Sequence, residues 1–228
     1  QQRFYPFAIL VWHGVVNDVI AGRPIAVAYS PLTDEAIVFD RIGSDGLATT
    51  FAWSGDVYEN SELLADTQTD SRWWIQRLQA VSGPRAGEAL SEKIFFTPSW
   101  RAIKSEFPNA DVLSRQTGFD RDYTFNPYAA YAQNAEWRFP LSHVDARLPA
   151  KKRVVGVLSG GQAKAYPLDL VRQQKIVRDT IGTLQVAVSY DADIDAVRVT
   201  VAEKPIPSHQ LFWFAWAAAY PQTEIFAP

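Results

Sequence analysis

Ile9, His13, Val16 and Ile20 follow one another at spacings of four, three and four residues. That spacing places them on one face of a helix. Tyr5-Pro6 stands just ahead, where a proline suits a helix's first turn because its missing N–H would have no partner there. Ala21-Gly22 marks a turn, and "PIAVAY" and "AIVFD" then read as two strands around an Asp-containing turn. Further on, "VVGVLSGGQAKAYP" (154–167) predicts a hairpin of two short strands around Ser159-Gly160-Gly161. "WRAIKSEF" predicts a short helix ended by Pro108, with the strand "ADVLS" after it.

This succession is written twice. At an offset of 161 residues, Tyr5-Pro6 falls on Tyr166-Pro167, Asp18 on Asp179, Tyr29 on Tyr190 and Asp34 on Asp195. Leu170, Gln174, Val177 and Ile181 repeat the predicted helix face. A second echo pairs Trp100 with Trp213 and Phe107-Pro108 with Tyr220-Pro221. Two copies with so long a period exclude a solenoid. The pattern predicts an α+β fold: an internally duplicated, strand-rich unit of β-hairpins with packed helices, related by a pseudo-twofold. The expected organisation is one compact domain over 1–228 in two related halves. The first spans about 1–113 with an insertion at about 41–98, the second about 154–228, and an irregular but ordered connection, 114–153, joins them.

Composition narrows the function classes. The chain has 228 residues, 47% hydrophobic and 13% aromatic, which supplies enough apolar surface to bury a core. A net charge of -3 offers no basic field for nucleic acid, so no nucleic-acid partner is expected. The longest apolar run, "LFWFAWAAA" (211–219), is too short to span a bilayer and reads as core. There is no cysteine, which removes disulfides, thiol nucleophiles and thiolate metal ligands. There is no HExxH, GxSxG, P-loop or GxGxxG pattern, and nothing in the spacing of the three histidines requires a metal site, so no metal is expected and the cofactor is left open.

Comparing the copies sorts the candidates. Residues that both copies keep are demanded by what they share, so Asp18 and Asp179 read as carboxylates that accept backbone N–H groups in the next turn. Residues that differ are freer to carry function. His13 stands where the second copy has Gln174, and it is either a hydrogen-bonding core residue or a site residue. "SPLTDE" replaces "DADIDA", which makes Ser30 and Thr33 candidates on a ligand-facing loop, with an ordinary hairpin turn as the alternative. His143 and Asp145 lie two apart in "PLSHVDARLP", so on an extended stretch they share a side. The ligand-binding candidates are therefore His13, Ser30, Thr33, His143 and Asp145; no catalytic residue is assigned.

"YPFAILVWHGVVNDVIAGRPIAVAYSPLTDEAIVFDR" resembles the opening signature of domain-of-unknown-function family 3179, and so, in order, do "SGDVYENSELL", "DTQTDSRWW", "VLSRQTGFDRDYTFNPY", "FPLSHVDARLPAKKRVVGV" and "FWFAWAAAYPQTEIF". The family's strand-end loop often carries two cysteines, or a cysteine and a threonine. Ser30 and Thr33 hold those places here, so any thiol chemistry of relatives is expected to be lost. His13 and His143 match histidines of the family pattern. The resemblance also implies a methionine between the residues matching Leu64 and Ala65, where this methionine-free chain is one residue shorter.

The family's members are bacterial and archaeal proteins, often with export signals. The resemblance therefore implies a periplasmic or extracellular protein whose signal was removed. It implies no activity. The leading expectation is a small-molecule or protein binding module. The alternative is a hydrolase or metal-dependent enzyme with a site between the two halves, and a third reading is a structural relative within a larger assembly.

Overall fold

The computed structural model describes residues 2–227, and the chain divides into two compact units: Gln1–Lys93 with Asp111–Ser142, and Ile94–Ala110 with His143–Pro228. In chain order the elements are β1 (Arg3–Phe4), α1 (Phe7–His13), β2 (Val15–Ile20), β3 (Arg23–Ser30), β4 (Glu35–Asp40), β5 (Phe51–Tyr58), β6 (Ser61–Asp66), β7 (Arg72–Trp74), β8 (Gln79–Ser82), α2 (Trp100–Glu106), β9 (Asp111–Val112) and α3 (Ala129–Gln133). They continue with β10 (Arg153–Ser159), β11 (Gln162–Pro167), α4 (Leu168–Gln174), β12 (Ile176–Ile181), β13 (Leu184–Asp191), β14 (Ala196–Val201), β15 (Lys204–Pro205), β16 (His209–Phe212), α5 (Trp213–Ala219) and β17 (Glu224–Ile225).

The first unit holds the meander β2-β3-β4, the meander β5-β6-β7-β8 and a parallel pair, β1-β9. Phe39, Phe51, Leu64 and Trp73 are buried in one core, with Phe51 edge-on to both Phe39 and Trp73. The second unit holds the sheet β12-β13-β14-β15 and the sheet β16-β10-β11-β17. Val155, Tyr166, Val171 and Val188, none more than 1% exposed, centre its core. In the same unit α2 packs Ala102 on Ile194 and Ala196.

The α+β expectation with a pseudo-twofold is corrected by this inventory. The chain is 40% strand and 15% helix, and its helices are only five to seven residues long. Among the described residues, four small sheets of three or four strands and the two-stranded pair β1-β9 organise it, and a pseudo-twofold α+β unit is not shown. One local feature accounts for part of the difference. The spacing from Ile9 to Ile20 suggested one helix, but α1 stops at His13 because Gly14 turns left-handed at φ 72. The β-branched run after it then extends as β2. Residues 41–98 contain the complete β5-β6-β7-β8 sheet.

What the sequence echo encodes is local. β2 pairs β3 from Val15↔Ala28 to Ile20↔Arg23, and β12 pairs β13 from Ile176↔Ser189 to Ile181↔Leu184, the same register at the 161-residue offset. Asp34 and Asp195 both take left-handed backbone (φ 55 and 52) and accept a hydrogen bond from Tyr29 and Tyr190 hydroxyls respectively.

Candidate functional site

Ser30 ends β3 and pairs with Glu35, which starts β4, so "PLTD" between them is a hairpin loop. The loop faces inward. Ser30, Thr33 and Glu35 are each no more than 1% exposed. The Ser30 hydroxyl donates to the carboxylate of Glu62 on β6, and the Thr33 N–H donates to Ser30 Oγ at 3.3 Å. Gln76, which follows β7, donates its amide to Thr33 Oγ1 (3.1 Å) and to Glu35 Oε2 (2.7 Å). A buried polar group must find such partners or forfeit its hydration.

Glu62 is the chemically distinctive member. Burial raises its carboxyl, against the Ser30 hydroxyl and nearby backbone N–H groups, to a pKa of about 7. Its Oε1 is shut off from solvent and makes no hydrogen bond among the described residues. The segment beyond β9 straps this region. Tyr131 of α3 donates its hydroxyl to the Leu32 carbonyl at 2.9 Å and accepts from Asn60 Nδ2 at 3.0 Å. Asn60 Oδ1 in turn accepts the N–H groups of Arg138 and Phe139.

His13 has other partners. At the last turn of α1 its Nε2 shares a hydrogen bond of 2.7 Å with the hydroxyl of Tyr123, which bonds Thr117 Oγ1 at 2.5 Å. Burial, then the positive charge of Arg121, lowers its pKa and favours the neutral ring. The Phe119 ring lies 5.3 Å from the imidazole. Next to it Trp12 donates its indole N–H to the Phe125 carbonyl at 3.2 Å, and the Arg121 guanidinium lies 5.7 Å from its ring. Phe119 and Phe125 are 63% and 58% exposed, whereas Tyr123 and Tyr131 of the same connection are buried.

The structure thus joins Ser30 to Thr33, and gives His13 a separate aromatic setting. His143 and Asp145 belong to the other unit. Asp145 is gripped by Arg147, whose Nε and Nη2 lie 2.8 and 2.6 Å from Oδ2, and that bond holds the carboxyl below its ordinary value. The Asp145 carbonyl accepts the Trp213 indole N–H at 2.9 Å. His143 Nε2 is buried and makes no hydrogen bond among the described residues. No group of three or more His, Asp or Glu side chains suited to a metal ion occurs among the described residues. Asp18 and Asp179 accept no N–H of the following turn among the hydrogen bonds of the described residues; each accepts the next strand residue's N–H at 2.7 Å and a tyrosine hydroxyl, from Tyr5 at 2.6 Å and Tyr166 at 2.9 Å.

Sequence reasoning missed Glu62, Gln76, Tyr123 and the exposed face of Trp12, Phe119 and Phe125. Aromatic density in "TGFDRDYTF" signals Phe119, Tyr123 and Phe125 but does not say which rings face water, and no local pattern marks Glu62 or Gln76.

Fold and site together define a strand-rich protein with a sealed polar loop and an exposed aromatic face. The chain matches the family described as "Protein of unknown function (DUF3179)" over residues 1–204, and it belongs to that family. No curated protein and no solved structure matches the chain.

Proposed function

We propose that this is an exported binding module that recognises a protein partner through the aromatic face around His13. One observation carries the reading: Phe119 and Phe125 stand 63% and 58% exposed beside Trp12, His13 and Arg121. Aromatic and arginine side chains dominate the binding energy of protein interfaces, and rings left in water beside a rigid helix end are ready anchors. The Ser30–Thr33 loop supports the reading from the other side. Where relatives resemble one another in carrying cysteines, these hydroxyls are buried and spent on internal hydrogen bonds. Export rests on the family resemblance alone, and an N-terminal signal directing a reporter out of the cell tests it; a reporter retained inside contradicts it.

The binding test is peptide display against the whole chain. Selected peptides should bind the wild type and lose at least about tenfold in affinity to the Phe119→Ser/Phe125→Ser variant. Peptides that bind both proteins equally would overturn the reading. A hydrolytic reading has one observation in its favour, the Glu62 carboxyl poised at about 7. It requires Glu62-dependent turnover, so p-nitrophenyl ester hydrolysis unchanged in Glu62→Gln excludes it.

A further inference from the structure

Two corners of the molecule are built alike and filled differently. In the second unit β11 pairs β17 in parallel, Lys164↔Glu224 and Ala165↔Ile225, and the Phe226 N–H then bonds the Ala165 carbonyl at 2.8 Å. In the first unit β1 pairs β9 in parallel, Arg3↔Asp111 and Phe4↔Val112, and the Leu113 N–H bonds the Phe4 carbonyl at 2.9 Å. The polar frame matches as well. Lys164 pairs with Asp179 (2.7 Å) and Glu224 (3.4 Å), and Arg3 pairs with Asp18 (2.5 Å) and Asp111 (3.7 Å). Tyr166 and Tyr5 each donate a hydroxyl to the aspartate.

The difference is one ring. Phe226 stacks on Tyr166, centroids 5.4 Å apart and planes 28° from parallel, with Lys164 Nζ 6.0 Å from its centroid. Leu113 stands at the matching backbone position and brings no ring. Among the described residues no aromatic side chain stacks on Tyr5. Instead a groove of about 470 Å³ opens there, with Tyr5, Val16, Asp18, Asp111, Leu113 and Ser114 in its lining. That volume lies in the range of small-ligand sites.

We propose that this groove binds an aromatic ring, stacked on Tyr5 in the manner that Phe226 stacks on Tyr166. Arg3 takes the position over the ring that Lys164 holds in the filled corner, and Asp111 accepts hydrogen bonds from ligand donors. The ligand class is a compound or peptide side chain with one phenyl or phenol ring and a neighbouring N–H donor. The inference does not rest on the aromatic face around His13.

The experiment titrates the whole chain with phenethylamine, N-acetyl-L-phenylalanine amide and, as control, N-acetyl-L-leucine amide, following backbone amides by NMR. Saturable shifts at Val16–Asp18 and Leu113–Ser114 with an aromatic probe are expected. Binding of phenethylamine assigns free aromatic amines, and binding of the phenylalanine amide alone assigns a peptide side chain. Leu113→Phe, which supplies the missing ring internally, should weaken binding at least about tenfold while keeping the melting temperature or raising it. Should that variant fail to fold, Ser114→Trp is the second block. Absence of groove shifts, equal shifts with the leucine amide, or wild-type affinity in a folded blocked variant overturns the proposal.

Discussion

The Ser30 hydroxyl donates to the Glu62 carboxylate, tying the end of β3 to β6 across 32 residues of sequence. The bond sits where burial, not a counter-charge, sets the protonation of Glu62. The unfolded chain releases this proton near the ordinary glutamate value and the folded chain holds it to about 7. The linked stability is therefore complete below the unfolded value and is lost as the pH rises through about 7. Urea unfolding should show Glu62→Gln gaining on the wild type by on the order of 2–3 kcal/mol at pH 8 relative to pH 4. A pH-independent difference between the two proteins contradicts this.

Gly14 is fixed by its neighbour more than by its backbone. A Cβ there would lie 2.0 Å from the Trp53 ring, whereas Lys175 occupies the corresponding left-handed cap, φ 66, in the other unit. Gly14→Ala should destabilise by about 3 kcal/mol or more, from overpacking added to left-handed strain. Lys175→Gly should change stability by no more than about 1 kcal/mol. Thermal denaturation of the two variants compares them; equal losses would show that backbone conformation alone decides.

Asp18 and Asp179 are predicted to be supports. At each, burial works to raise the carboxyl, but hydrogen bonds outweigh it and hold the carboxyl below its ordinary value: from Arg3, Tyr5 and the Val19 N–H at Asp18, and from Lys164, the Thr180 N–H and Tyr166 at Asp179. Their stabilisation is present above the ordinary carboxylate range and is lost as the pH falls through the lowered folded values. Asp18→Asn and Asp179→Asn should each destabilise by roughly 1–2 kcal/mol at pH 7, and the penalty should shrink toward pH 3. Chemical denaturation at the two pH values checks it, and a penalty that grows on acidification contradicts it.

Arg121 reaches both Trp12 and His13. Because its charge disfavours the imidazolium, Arg121→Gln should raise the His13 pKa, while burial keeps it from moving far. An NMR titration of the ring protons reads the shift directly. An unchanged or lowered value would remove Arg121 from the account.

The parts legible in the sequence were those decided by neighbours. The β10–β11 hairpin around Gly160-Gly161 and the strands around Asp34 and Asp195 follow from short spacings, whereas the tyrosine and cation partners of Asp18 and Asp179 come from more than ten residues away. The end of α1 was not legible, because apolar spacing fits a helix continuing past Gly14 as well as a strand, and the deciding contact is with Trp53, far along the chain. The partners of Ser30 and Thr33 were hidden for the same reason: Glu62 arrives from β6 and Gln76 from the turn between β7 and β8, and no local pattern marks them. Nor does periodicity distinguish the exposed Phe119 from the buried Tyr123 four residues later.

The central claim is that binding belongs to the aromatic face and not to the Ser30–Glu35 loop. Mapping backbone amide shifts on the whole chain, titrated with a peptide selected by display, tests it most directly. Shifts are expected to concentrate at Trp12, His13 and 117–125, with Ser30 to Glu35 unmoved. Shifts centred on Ser30 to Glu35, with Phe119 and Phe125 unaffected, would contradict it.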